Sequence, residues 1–371
     1  MSIAQKFSAM FPAPAFLRMP AAGLDISDRR VRFLTFSNKC DDLSVMSHGE
    51  AEIPPGVIVS GKIKRSEELK DILSAFQKKN KLEFVRVSLP EERAYMAKMD
   101  VPNPEGGDLR DSILFQLEEY VPVPAGDAVF DYKVIGESAT QQGYLSVAVS
   151  VLSQKEITEY TSLFDGTGLT PVSFEIEAQA IARAVIPNED METYMILDFG
   201  RTRTGISVVS ESIVRFASTV DVGSDMITLA VEKYFSVNTA DAERMKNEKG
   251  VTKSESDKDF SGAAMSSLSI LRDEVNKLHI YWHTHRENER DGRKIKGIFL
   301  SGGGANLKGL REYLSAGLRI NVEVANPWVN VCSFDDRIPE ISYHRALGYA
   351  SVIGLALTGM CDGVNSPQSR Q

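Results

Sequence analysis

Apolar and polar positions alternate along this chain in short blocks whose spacing predicts a mixed α/β fold. Residues 21–36 read as a buried strand, a polar turn and a second strand. A helix over 66–79 carries Leu69, Ile72, Leu73 and Phe76 on one face behind a Ser-Glu-Glu start, and a buried strand over 82–89 follows. Residues 90–170 change character. The pattern predicts a strand over 95–101 and a helix over 108–120, with Leu109, Ile113, Leu117 and Tyr120 on one side and Pro122 as its stop. Strands over 129–135 and 144–152 and a helix over 154–164 complete a small α+β module. The chain returns through a strand over 170–175 and a helix over 177–185 with Ala178, Ile181, Ala182 and Val185 inward. Pro187 to Asp190 marks a boundary.

The second half opens on two apolar strands over 194–209, joined by a tight polar turn. A strand over 213–220, helices over 223–235 and 239–249, and a polar loop over 250–260 follow. A long helix over 262–289 carries Leu268, Leu271, Val275, Leu278 and Trp282 at helical spacing. The strand over 296–300 runs straight into Gly302, Gly303 and Gly304 ahead of a helix over 310–318. A small-residue helix over 343–357 closes the pattern.

Length sharpens this picture: 371 residues exceed one ordinary core, so two domains, or one with a large insertion, are expected. A net charge of -9 with no basic stripe argues against a nucleic-acid binder. Cys40, Cys332 and Cys361 lie far apart, fit neither a disulfide framework nor metal-ligand spacing, and are expected as free thiols in a reducing cytosol. The apolar run over 350–361 has about 12 residues, short of the roughly 20 that cross a bilayer. Pro12, Pro14 and Pro20 interrupt the first 20 residues, which read as a flexible leader rather than a signal peptide. The polar tail over 362–371 is expected to be disordered.

The chemistry concentrates at the turns. In the hairpin over 194–209, Asp198 ends the first strand, and Gly200, Thr202 and Thr204 follow. Backbone N–H groups of such a turn can converge on phosphate oxygens, while the carboxylate holds the hydration shell of Mg²⁺. Taken alone, such a stretch is more often a plain turn. However, the layout recurs some 170 residues earlier, with Asp25 ahead of Ser27, Asp28, Arg29 and Arg30, which suggests a duplicated fold with a nucleotide between its halves. Three consecutive glycines after a buried strand leave no side chain to block a flat ring or a phosphate, and the helix after them offers its N-terminal N–H groups. His279 and His283 share a helix face near His285, but no intervening Glu and no third ligand accompany them, so a metal is not expected there. Glu118 and Glu119 read as a solvated helix face.

In this order the two Asp-bearing hairpins, two small-residue helices and Gly-rich turn resemble the five-part nucleotide site of the actin-like, sugar kinase and Hsp70 superfamily. The module over 90–170 resembles subdomain 1C, or SHS2 module, of the FtsA branch. Within that branch, residues 21–360 resemble the PilM family of type IV pilus assembly. The carrying stretches are 23–26, 116–124 with Phe130, Asp131 and Tyr132, then 175–184, 197–204, 242–246, 300–310 and 346–350.

The resemblance implies an α/β, actin-like (ribonuclease H-like) two-lobe ATPase fold with an inserted α+β 1C subdomain. Its parts would be a leader (1–20), subdomain 1A (21–89), the inserted 1C (90–170), a return to 1A (171–189), a second lobe (190–335, with 2B about 222–292), a return helix (336–361) and a tail (362–371). It implies ATP with Mg²⁺: Asp25 and Asp198 near the metal through water, and Ser27, Gly200, Thr202 and Thr204 on the phosphate side. Gly302, Gly303 and Gly304 would face the ribose and α-phosphate, and Glu243 and Lys246 the adenosine. Glu177 takes the place where relatives position the attacking water, with Glu175 as a near rival. Where relatives usually have Gly, this chain has Ser27, expected to narrow the approach, with Asp28 expected to repel phosphate unless it points away. Turnover is therefore expected to be slow. The implied role is a cytoplasmic scaffold that binds the N-terminal cytoplasmic segment of a PilN-like inner-membrane protein, between 1A and 1C, and meets the membrane only through that partner. Self-association is left open. The alternatives are an FtsA-like division anchor and a small-metabolite kinase of the same superfamily.

Overall fold

Two five-stranded sheets are built on one plan. The computed structural model describes residues 21–37, 43–104, 108–251, 258–284 and 294–358. In chain order the first part holds β1 (Ala22–Ile26), β2 (Arg30–Phe36), β3 (Val45–Glu52), β4 (Ile58–Val59), β5 (Lys62–Ile63), α1 (Ser66–Asn80) and β6 (Phe84–Leu89). Next come β7 (Tyr95–Pro102), α2 (Leu109–Tyr120), β8 (Ala128–Glu137), β9 (Tyr144–Ser153), α3 (Gln154–Ser162), β10 (Thr170–Ile176) and α4 (Glu177–Val185). The second part holds β11 (Thr193–Phe199), β12 (Thr204–Ser210), β13 (Ile213–Val220), α5 (Ser224–Phe235), α6 (Thr239–Glu248) and α7 (Lys258–Thr284). It closes with β14 (Gly297–Ser301), α8 (Leu310–Leu318), β15 (Val322–Val324), α9 (Tyr343–Ala346) and α10 (Ala350–Leu357).

The first sheet runs β10-β6-β1-β2-β3 and the second β13-β12-β11-β14-β15. In each, an antiparallel meander of three strands is extended by two parallel strands beside its first member. The repeat read from the two hairpins is therefore a repeat of whole sheets. Parallel strands covered on both faces need continuous apolar runs, and Met195, Ile196 and Leu197 of β11 are fully buried.

The helices are fixed by local chemistry as well as burial. In α1, Glu67 and Glu68 open the helix and Lys78 and Lys79 end it, opposing the helix dipole. Asp108 caps α2 by accepting from Arg110 N at 2.8 Å. Ser153 and Glu156 form a reciprocal capping box on α3. Helices α4 and α10 pack through small residues. A Cβ at Gly354 would run into the carbonyl oxygen of Ala180, so only glycine allows this approach.

A third sheet, β7-β9-β8, lies in sequence between β6 and β10 and has its own core of Met99, Val101, Ile113, Leu117, Phe130 and Val149. Tyr120, expected on the inner side of α2, is instead 45% exposed, because the helix ends there and turns at Val121. Helix α3, read as part of the small module, buries Tyr160 against the larger core, and the Tyr160 hydroxyl donates to Gly61 O at 2.8 Å. The helix expected over 343–357 is broken by a 3-10 turn over Leu347–Tyr349. The Leu347 carbonyl leaves the helical ladder to accept from Gly302 N at 3.0 Å.

Cys332 is half-buried with a free thiol. Cys40, Cys361, His285, the end of the helix predicted to Glu289, most of the loop over 250–260, the leader and the tail lie outside the described residues. No helix among the described residues is long and apolar enough to cross a membrane.

Candidate functional site: a cleft between the two sheets

The turns of the two repeated hairpins face one another across a cavity of about 620 Å³, within the range of small-molecule sites. Asp25, near the end of β1, and Asp198, near the end of β11, both line it. Ser88 Oγ donates to Asp25 Oδ1 at 2.7 Å and fixes that carboxylate. Burial, then the charge of Asp25, push Asp198 up to about 6, although Arg203 opposes the shift. Glu177, the first residue of α4, is pushed well above the usual carboxylate range by burial and by Asp25 and Asp198. Its rival Glu175 does not line the cavity. Arg183 holds Glu175 in a two-point pair, with one contact at 2.8 Å.

A fourth carboxylate was not singled out by sequence pattern. Glu91, in the 3-10 turn Glu91–Arg93 after β6, lies against the backbone of Gly205 and receives Thr219 Oγ1 at 3.3 Å. Burial first, then the charges of Asp198 and Glu92, push it to about 8. Its signal in the sequence was an acidic pair directly after a buried strand. Four carboxylates thus face a space large enough for a polyphosphate, a donor set suited to a hard divalent cation. Among the described residues no three His, Cys, Asp or Glu side chains converge tightly enough to hold a metal directly. The arrangement fits Mg²⁺ carried with its own water shell, as Mg²⁺ usually is.

In the first hairpin both Ser27 and Asp28 line the cavity, and each is engaged by the protein itself. The Ser27 hydroxyl turns back onto Arg30 O at 3.0 Å, and Ser27 N bonds the same carbonyl at 2.9 Å, so the side chain closes its own turn. Asp28 accepts from Ser60 N and Gly61 N, both at 3.0 Å, and from Thr202 Oγ1 at 3.2 Å. It also pairs with Arg203 Nη1 at 3.0 Å. Its carboxylate is held by these partners, which offset its charge at the cavity wall.

In the second turn Gly200 and Thr202 line the cavity, and Gly200 N bonds Arg203 O at 3.0 Å. Thr204 does not line it: the residue is fully buried and its hydroxyl donates to Val222 O. Gly302, Gly303 and Gly304 all line the cavity, for different reasons. Gly302 has φ +83 and, like Gly304, leaves no room for a Cβ against Phe199, whereas Gly303 opens onto free space. A 3-10 turn over Gly303–Asn306 follows directly, so α8 begins too late to present its N-terminus as the sequence suggested. At the far end, Lys246 Nζ donates to Glu243 Oε1 at 2.9 Å and Thr228 Oγ1 at 2.7 Å. His279 and His283 lie on α7, away from the cavity, with Nε2 atoms 3.0 Å apart.

The fold matches known structures over most of its length. The model of the family described as type IV pilus assembly protein PilM matches residues 23–360. A chain of a PilM-PilN type IV pilus biogenesis complex is 20% identical, with TM-score 0.74, covering 92% of this chain and 99% of that one. MreB5 of Spiroplasma citri bound to ADP is 13% identical, with TM-score 0.54, covering 90% and 94%. The same protein bound to AMPPNP is 14% identical, with TM-score 0.54, covering 91% and 95%. The architecture is actin-like, and the chain belongs to the PilM family of type IV pilus assembly proteins.

Proposed function

We propose that this chain is a nucleotide-binding adaptor of type IV pilus assembly. The observation that carries this is the pair of hairpin turns, with Asp25 and Asp198, facing each other across the cavity. The backbone of the Gly200 and Thr202 turn offers donors to phosphate, Gly303 leaves room for the ribose, and Glu243 and Lys246 meet the adenosine. Asp25 and Asp198 would hold Mg²⁺ through water, and the ion would supply charge neutralisation for the phosphates. Glu177 is the group that faces the attacking water. Burial, then the charges of Asp25 and Asp198, push its carboxyl well above the usual range, which weighs against its acting as a ready base and supports slow turnover at most.

The protein works as a scaffold at the inner face of the cytoplasmic membrane, which it reaches through a partner. That partner is a PilN-like inner-membrane protein, whose N-terminal cytoplasmic segment docks between the first sheet and the small three-stranded unit. Phe115, on α2 of that unit, is 90% exposed and offers an apolar anchor. Nucleotide would act by setting the angle between the lobes. Isothermal titration with Mg²⁺·ATP, repeated with the N-terminal peptide of the PilN-like protein, tests both halves. Micromolar binding of each is expected. Peptide binding without a nucleotide signal would reduce the protein to a static scaffold, and ATP binding alone would remove the pilus partner.

A further inference from the structure

One cation in the cleft has no part in the reading above. Arg203 sits in the turn of the second hairpin, and its side chain is only 12% exposed. It crosses to the first lobe and meets three acids from three separate elements. Nη1 lies 3.0 Å from Asp28 Oδ1 and 3.2 Å from Glu92 Oε1, and Nη2 lies 3.8 Å from Glu177 Oε2. A planar guanidinium offers a rigid fork of donors that suits phosphate as well as carboxylate.

These partnerships are unequal. Asp28 keeps two backbone N–H groups and the Thr202 hydroxyl without Arg203. Neither Glu92 oxygen has a hydrogen bond, although both are buried, and the 3.8 Å contact to Glu177 is too long for one. The guanidinium is thus poised beside the acids rather than locked by them. Meanwhile Asp25 and Asp198 present like charge to any phosphate that enters.

We infer that Arg203 is the residue that reads the terminal phosphate, so that the cleft distinguishes a nucleoside triphosphate from a diphosphate. This rests on the nucleotide reading above. A triphosphate gripped by both turns places its last phosphate beside the Arg203 fork, and Arg203 then exchanges the loosely held Glu92 and Glu177 for phosphate oxygens. A diphosphate ends short of the fork and leaves the cross-lobe pairs in place. The same exchange makes lobe geometry depend on the terminal phosphate, since Arg203 is also an ionic link between the lobes.

The test is calorimetric binding of AMPPNP and of ADP, each with Mg²⁺, to wild type, Arg203→Ala and Arg203→Lys, with cleft opening read by small-angle scattering. Wild type is expected to prefer AMPPNP. Arg203→Ala should lose about tenfold to hundredfold of AMPPNP affinity while keeping ADP binding, which also shows that it folds. Arg203→Lys, with charge but no fork, should fall between, and the AMPPNP-dependent change in scattering should vanish in the alanine variant. Equal losses for both nucleotides, or an unchanged ratio, would overturn the assignment and leave the nucleotide site standing. If wild type binds neither nucleotide, the nucleotide reading itself falls and takes this one with it.

Discussion

Replacing Glu91 by Gln should change how stability depends on pH. Buried Glu91 is pushed from its ordinary 4.5 to about 8 by desolvation and by the charges of Asp198 and Glu92, against the pull of Arg203. An unfolded chain releases this proton near the ordinary value, whereas the fold keeps it until near 8. Between those values the native state binds more protons than the unfolded state, so stability falls as pH rises and levels off above 8. At 1.36 kcal/mol per tenfold in proton affinity, the whole effect amounts to roughly 5 kcal/mol, of which roughly 3 kcal/mol falls between pH 5.5 and 8.5. Glu91→Gln imitates the protonated form at all pH values. It should lie within about 1 kcal/mol of wild type near pH 5 and exceed its stability by roughly 4–5 kcal/mol at pH 8.5. Urea unfolding of the nucleotide-free protein, followed by fluorescence of the fully buried Trp328, measures this at each pH. A difference between variant and wild type that does not vary with pH would refute the reasoning.

Three more expectations are local. Phe115→Glu should abolish binding of the PilN-like peptide in titration while shifting unfolding free energy by no more than about 0.5 kcal/mol, because the ring is 90% exposed. Gly354→Ala drives a methyl into the Ala180 carbonyl and should destabilise by about 1–3 kcal/mol in chemical denaturation. Asp100→Ala strips the acceptor from the hydroxyls of Ser138, Thr140 and Ser146 and should cost about 1–3 kcal/mol. In hydrogen exchange, amides of β7 and β9 should then exchange faster while those of β11 keep their protection.

What the sequence made legible was what depends on near neighbours. The two hairpins, the helix at Ser66–Asn80 and the strand at Ile213–Val220 follow from periodicity and caps that act within a few residues. The actin-like class followed from the order of five local motifs, each weak by itself. The rest depends on where distant segments meet. Thr204 sits among the turn's polar residues in sequence, but strand alternation turns its hydroxyl toward Val222, away from the cavity. Glu91 and Arg203 become site residues only because strands β6 and β11 end at the same cleft, which no local pattern records. The break at Leu347–Tyr349 arises from a carbonyl bonded to Gly302, 45 residues earlier. Asp28, in the wall of the cleft, is engaged by the turn at Ser60 and Gly61.

Asn330 links the chain's two passages between the sheets. Its amide donates to Arg183 O at 2.8 Å and Ile186 O at 2.7 Å, and its Oδ1 accepts from Asn188 N at 2.8 Å. The outgoing segment after α4 and the returning segment after β15 are thereby stitched together at one point. Two coverings joined by a single flexible ribbon could swing and twist in any direction. Joined by two ribbons riveted side by side, they keep one easy axis, like a book along its spine, and resist torsion and shear. Any signal passed from cleft to partner surface then travels as a single angle.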